Sequence, residues 1–462
     1  MTAGTGTEVR VTRGEDGSVR IAAVPGLGHV VSSCDEYDDV TAVGPDFTRA
    51  VLDVAGAVLV WSVLGEPGPP TAEIHDAGRA QQWLWAVYGE RVAAAVHDGG
   101  ARQPTDARVA AETPALAGAA ARLGFAHWAA RWWPASYPDG VAALEPDVLG
   151  LETAALTHRC QQLFDDLGDQ PDDCAADLIE EHRAALAPLL RWWHFSPQQA
   201  YTGRHLDRVL RLVDSAADCA GLDGTALRSL RSALDEGPEH GRSGAPVDPA
   251  TLFTRQAGYA LAAGDARGAG GRVIARGTGT NDWRRYPPGL VDAGEHAVSW
   301  TARALGARRQ IEVEVVAHVS APAGIGVPLV AEVRVDGGPP HRVPLARRDD
   351  LWTGRADVDL TPAATPSASA PLGVDVGVLL PGFDPGAGTD ARAERDAVRA
   401  LARRRLADAL PAGAAGAGTA QAGAAAAGPH GIHDDEPGPH DDVQGPLLAE
   451  TLAALAATSE DY

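Results

Sequence analysis

Two short segments carry the same side chains at the same spacing. Arg131-Trp132-Trp133-Pro134-Ala135-Ser136 and Arg191-Trp192-Trp193-His194-Phe195-Ser196 both read R-W-W-x-x-S. Arginine and tryptophan carry much of the energy of binding surfaces, so Arg131, Trp132, Trp133, Arg191, Trp192 and Trp193 are candidates for a partner-binding surface on a duplicated helical unit. The competing reading is structural: paired tryptophans at a helix end close a core, and the preference of large aromatics for the interior favours it. His127, Arg131, His158 and Glu181 fall in the same helical region and are the groups an enzyme site there would draw on. Trp283 and Trp352, if exposed, would suit a carbohydrate or other small ligand.

Most recognisable chemistries are missing. No G-x-S-x-G surrounds Ser33, Ser136 or Ser196, no H-E-x-x-H occurs, and His158 and His182 are preceded at three residues by Ala155 and Ile179 rather than by glutamate. The nucleophile elbow, the zincin helix and the carboxylate-bridged di-iron bundle are thereby excluded. Cys34, Cys160, Cys174 and Cys219 form no C-x-x-C pair and read as buried or half-buried thiols. Gly268 to Gly271 and Gly277-Thr278-Gly279 lie at the entrance to a strand-rich region, where a phosphate loop would need a helix to follow, so they read as loops. The acidic run Asp35 to Asp39 beside His29 reads as a solvated turn before it reads as a cation site. No cofactor and no metal is implied.

Composition narrows the field further. The 462 residues include 39 basic and 62 acidic side chains, a formal net charge of −23, and every basic residue is arginine. Without lysine there is no Schiff-base, P-loop or kinase lysine, since each of those chemistries needs an ammonium group. The negative charge disfavours nucleic acid and anionic membranes. The first residues lack an apolar signal core, and the longest apolar stretches fall short of the roughly 20 residues of a bilayer span. A cytoplasmic protein is expected, neither embedded in nor resting on a membrane.

The elements that must position these residues follow from periodicity. Residues 1–70 read as a small β-containing start, with Val9, Val11, Val19 and Ile21 alternating across Gly14 to Gly17, while Phe47 to Leu64 fits a buried helix or a strand pair equally. From 71 to 236 apolar residues recur at three and four, predicting helices near Ala72–Val96, Pro114–Trp133, Pro146–Leu167, Cys174–Trp193, Gln198–Ala220 and Gly224–Leu234. A linker with one short helix occupies 237–271. Residues 272–385 change to a period of two, and about seven strands without helices between them predict an antiparallel β-sandwich of immunoglobulin-like size. An arginine-rich helix over 386–410 and a disordered acidic tail over 411–462 complete an α+β multidomain chain. Within the tail Leu448, Leu452 and Leu455 share one face of a short terminal helix. Such a helix is marginal alone and should fold only against a groove, on a partner or on this chain.

The stretch Trp128 to Ala135 followed by Glu145-Pro146-Asp147, together with Asp282-Trp283-Arg284-Arg285-Tyr286-Pro287-Pro288-Gly289-Leu290-Val291-Asp292-Ala293 leading into Trp300, resembles uncharacterised accessory proteins of GC-rich bacteria. Those proteins are encoded beside MoxR-type AAA+ ATPases and von Willebrand A domain proteins. The resemblance spans about two-thirds of the chain, carries over no catalytic residue, and implies an accessory subunit of an ATPase-driven system. The expectation is therefore a non-enzymatic adaptor presenting surfaces to an AAA+ ATPase or a von Willebrand A domain protein. An enzyme with its site in the helical region is the alternative.

Overall fold

The computed structural model describes residues 7–24, 46–98, 106–112, 114–164, 171–196, 201–237, 249–253, 272–305, 308–319, 321, 328–357, 373–383, 391–410 and 445–460. The acidic run at 35–39, the glycine run at 268–271 and the Ala/Gly tract from 411 lie outside them. Helices and antiparallel sheets together make a mixed α+β chain.

The β start is larger than the sequence suggests. Strands β1 (Glu8–Arg13), β2 (Val19–Ala23), β3 (Arg49–Val54), β4 (Ala57–Ser62), β5 (Thr71–Ile74) and β6 (Asp106–Ala110) form one antiparallel sheet in the order β3-β4-β5-β2-β1-β6. Phe47 to Leu64 resolves as a hairpin, turned at Ala55-Gly56. Gly56 takes φ +73, and a Cβ there would stand 2.3 Å from the Asp76 carbonyl oxygen, so only glycine fits. Two predicted features change: Thr71 to Ile74 is strand rather than helix, and β6 interrupts the helical run. Ala72 and Ile74 alternate inward while pairing with β2 and β4, and four residues are too few for helical periodicity to be told from a strand.

Helices α1 (Ala77–Tyr88), α2 (Glu90–Asp98) and α3 (Ala115–Trp132) accompany this sheet, α3 lying along β3 and β4. Asp76 caps α1, its Oδ1 accepting from the amides of Gly78 and Arg79 at 3.0 and 3.1 Å. Two buried ring N–H groups are satisfied by backbone: Trp83 donates to Ala55 O and Trp128 to Phe47 O at 2.9 and 2.7 Å. Helix α4 (Pro146–Arg159) is buried from Val148 to His158 and is wrapped by α3, α5 (Pro171–His182) and α7 (Tyr201–Cys219). A helix buried nearly all round belongs at the centre of a bundle. The predicted Cys174–Trp193 helix breaks at a 3-10 turn into α5 and α6 (Leu186–Phe195), and α8 (Thr225–Glu236) and α9 (Pro249–Phe253) follow.

The described strands between residues 272 and 379 form two antiparallel sheets. One has the order β12 (Ala346–Arg348), β13 (Leu351–Asp357), β9 (Arg308–Val316), β8 (Val298–Leu305), β7 (Arg272–Thr278). The other has β11 (His341–Pro344), β10 (Val330–Val335), β14 (Val374–Leu379). Alternation in β9 buries Ile311, Val313 and Val315, and β10 buries Ala331 and Val333. The turn between β10 and β11 uses Asp336 and Gly337 at φ 49 and 70, as a tight hairpin requires.

Helix α10 (Arg392–Asp408) and helix α11 (Leu448–Glu460) pack on each other, and α11 also rests on α4, α7 and α9. Leu447, Leu448, Ala449, Leu452, Ala453 and Ala454 are buried and Leu455 is partly buried against the core. The groove that folds the terminal helix is thus on the chain itself, because its leucine face is the apolar surface that the α4 bundle leaves to be covered.

Candidate functional site

A cavity of about 370 Å³ opens where three separately encoded segments meet: the end of α3 with the residues after it, the facing sides of α4 and α5, and the loop from Asn281 to Gly294. Its size lies within the range of small-molecule sites.

The loop is built first. Asn281, the chain's single asparagine, is buried and donates from Nδ2 to Asp292 O and Gly294 O at 2.9 and 2.8 Å. Its Oδ1 accepts from the Tyr286 hydroxyl. One amide side chain thereby closes a loop of fourteen residues that has no strand or long helix of its own. Asp292 ties it to the helical part, its Oδ1 accepting from Gly294 N and its Oδ2 from Tyr137 N at 3.1 Å. From the other side Arg399 donates to Ala293 O, and Glu295 takes Arg395 and Arg399, both buried.

The walls are aromatic. Trp132 meets Phe47 edge-on at 6.2 Å, and Phe47 meets Trp283 at 5.3 Å. Trp133 fixes its ring by donating to Ala142 O at 2.9 Å. The ionisable lining residues are His127, Arg131, His182, Tyr286 and His318, with no carboxylate among them. His127 is exposed at the rim. The Arg131 guanidinium sits 3.8 Å from the centre of the Trp132 ring and 5.3 Å from that of Phe383, and donates to Tyr286 O at 3.2 Å. Burial lowers its pKa, leaving it the cation of the cavity. His182 packs against Gly150 of α4, so close that a Cβ there would fall 1.9 Å from ring Cδ2. Its Nδ1 is 3.1 Å from Asp147 Oδ1, which orients the ring and leaves Nε2, with Glu181 Oε2 at 4.0 Å. His318 is pushed down to about 4 by burial and is neutral at pH 7.

The sequence-predicted residues divide. Arg131, Trp132 and Trp133 meet at the cavity with His127. Their counterparts do not: Arg191 is exposed, Trp193 is fully buried, and Trp192 packs edge-on to Phe253 at 6.4 Å. The R-W-W echo is therefore not one site used twice. Trp132, Trp192, Trp193, Leu448 and Leu452 are buried within the chain and present no surface to a partner, because each completes an apolar face that would otherwise meet water. Trp283 and Trp352 are likewise buried rather than exposed, although Trp283 lines the cavity. His158 faces away, 3.1 Å from Ser215 Oγ. Cys160 is buried, its thiol pushed up to about 12, and is no nucleophile at neutral pH. Sequence reasoning weighed His182 only as a di-iron ligand and passed over Gly150. A glycine inside an otherwise apolar helix was the available signal, since it costs about 1 kcal/mol against alanine unless something needs the space.

A second polar cluster lies under the terminal helix. Glu152 of α4 is fully buried and accepts from Arg122 at 2.8 Å and from the Leu448 amide at 2.7 Å, with His205 Nε2 at 2.9 Å. Arg122 also donates to the carbonyls of Gly445 and Pro446, and Glu450, paired with Arg405, accepts from Leu447 N. Carboxylates thus cap the first turn of α11, where free amides and the helix dipole favour negative charge. Among the described residues no group of three or more His, Cys, Asp or Glu side chains is arranged to hold a metal ion, and no helix is long and apolar enough to cross a membrane. No family model, curated protein or solved structure matches the chain in comparisons with known proteins.

Proposed function

We propose that the chain is a non-enzymatic binding protein that receives a small ligand in the cavity at the end of α3. The observation that carries this reading is the wall itself: three tryptophans and a tyrosine around one arginine, assembled from segments that only the fold brings together. In this reading the two sheets of 272–379 are an antiparallel β-sandwich that holds the 281–294 loop against the helices. Ligand in the cavity would then strengthen the seam between them. Docking to an AAA+ ATPase or a von Willebrand A domain protein, with the chain as adaptor, is proposed on the sequence resemblance. The test is calorimetric titration of small aromatic compounds into the full chain and into Ala130→Trp, which places a large ring at the exposed rim. Binding to the first and not the second supports the site, and equal binding to both removes it.

One observation favours an enzyme as the second reading. His182, oriented by Asp147 with Nε2 left over, has the arrangement of a general base. Mass spectrometry of a bound compound before and after incubation separates the readings: conversion that His182→Gln abolishes supports the enzyme, and an unaltered compound supports the binding protein.

A further inference from the structure

The arginines of this acidic chain are commonly tied to carboxylates when they leave solvent. Arg395 and Arg399 hold Glu295, Arg405 holds Glu450, Arg122 holds Glu152 and Arg284 holds Asp282. Arg131 is different. Among the described residues it has no carboxylate partner, and its one hydrogen bond is to the Tyr286 carbonyl. A guanidinium offers five N–H donors in a rigid plane, and removing it from water without a counter-ion is costly. The flat faces of Trp132 and Phe383 hold its position, so the fork is set before anything binds.

The rest of the cavity is consistent with one kind of occupant. His127, His182 and His318 accompany the arginine, no carboxylate is among the described lining residues, and Asp147 and Glu181 lie beside His182. Trp132, Trp133 and Trp283 with Leu144, Leu149 and Leu178 supply apolar surface for a body without charge. We infer that the cavity takes an organic monocarboxylate, its carboxylate paired with Arg131 and its aromatic or aliphatic body against the tryptophans. This rests on the cavity being a ligand site, as proposed above. Aromatic walls alone would also attract an amine through their π faces, so head-group charge is the property to vary.

The probes are 3-phenylpropanoate, 3-phenylpropan-1-ol and 3-phenylpropylamine, which share one body and differ in the head group. Each is titrated calorimetrically into the full chain, Arg131→Met, Arg131→Lys and Ala130→Trp. The acid is expected to bind at least about tenfold more tightly than the alcohol, or about 1.4 kcal/mol, and the amine most weakly. Arg131→Met should bring acid and alcohol level, and Arg131→Lys should keep part of the difference, since an ammonium has the charge without the fork. An alcohol or amine that binds the full chain as tightly as the acid overturns the inference while leaving the cavity as a site. So does an acid preference that survives in Arg131→Met. If no probe binds, or Ala130→Trp binds all three undiminished, the ligand-site reading falls and the inference falls with it. The head-group series in the unaltered chain decides the matter even if a variant folds poorly.

Discussion

Replacing Glu152 with glutamine should loosen the terminal helix and make the chain less sensitive to acid. The carboxylate is fully buried, and although burial alone would raise its pKa, His205 and Arg122 hold it down to about 2, against an ordinary value of 4.5. The folded pKa is the lower one, so the stabilisation is complete above pH 4.5 and is lost as pH falls toward 2. At 1.36 kcal/mol per unit the difference is worth about 3 kcal/mol at pH 7 and about 1 kcal/mol at pH 3. The mutational argument agrees in size, since removing one partner of a buried pair leaves Arg122 uncompensated at a cost of about 3 to 5 kcal/mol. His205 acts in the same direction: burial and Arg122 lower its pKa, so below the ordinary value of 6.5 the unfolded chain takes up a proton that the folded chain resists. Urea unfolding of the native chain and of Glu152→Gln at pH 7 and pH 3 should show a gap that narrows to about two-fifths. Amide hydrogen exchange of residues 447–452 should quicken in the variant, because Leu448 N–H loses its carboxylate acceptor. Equal midpoints at pH 7, or a gap that does not change with pH, would refute the account of this network.

Gly150→Ala should expel the His182 ring from the cavity wall and weaken ligand binding, although alanine is the better helix former by about 1 kcal/mol; unchanged affinity with unchanged His182 chemical shifts would count against the packing described. Deleting residues 445–462 should lower the melting temperature and not merely weaken partner capture, since Leu447, Leu448 and Leu452 fill the groove over α4; Leu452→Ala alone should cost about 2 to 5 kcal/mol by chemical denaturation. Trp132→Ala and Trp193→Ala should each cost about 3 to 5 kcal/mol, but only the first should alter titration of a cavity ligand, and a loss of binding in both would argue that the two R-W-W segments share a role. Asn281→Ala should free the 281–294 loop and raise the accessibility of Trp283 to quenchers, with no change in quenching as the contrary result.

Local patterns were readable where one face of an element meets the core and the other meets water. The alternation in Ile311 to Val315 and the Asp336-Gly337 turn specified strands and a hairpin, because side-chain period and positive φ are properties of a few consecutive residues. The helical spacing of Leu448, Leu452 and Leu455 specified a helix with an unmet apolar face for the same reason. Thr71 to Ile74 shows the limit. Four residues cannot reveal a period, and only pairing with β2 and β4 makes them strand. The candidate site was legible in part: Arg131, Trp132 and Trp133 stood out by type, but whether a tryptophan closes a core or walls a cavity depends on what lies across from it.

By itself the sequence determined the charge, the absence of lysine chemistry, the type of the elements long enough to show a period and the stripe that the last helix must bury. Tertiary structure decided which of two identical motifs would face a cavity. It put His182 against Gly150 from 32 positions away in the chain, and set Glu152, a fully buried acid of α4, beneath the amides of α11. Among the described residues it also left Arg131 without a carboxylate partner such as Arg395, Arg399 and Arg405 have. Those outcomes depend on long-range packing and on desolvation, and both are set by residues distant in sequence that converge only when the core forms.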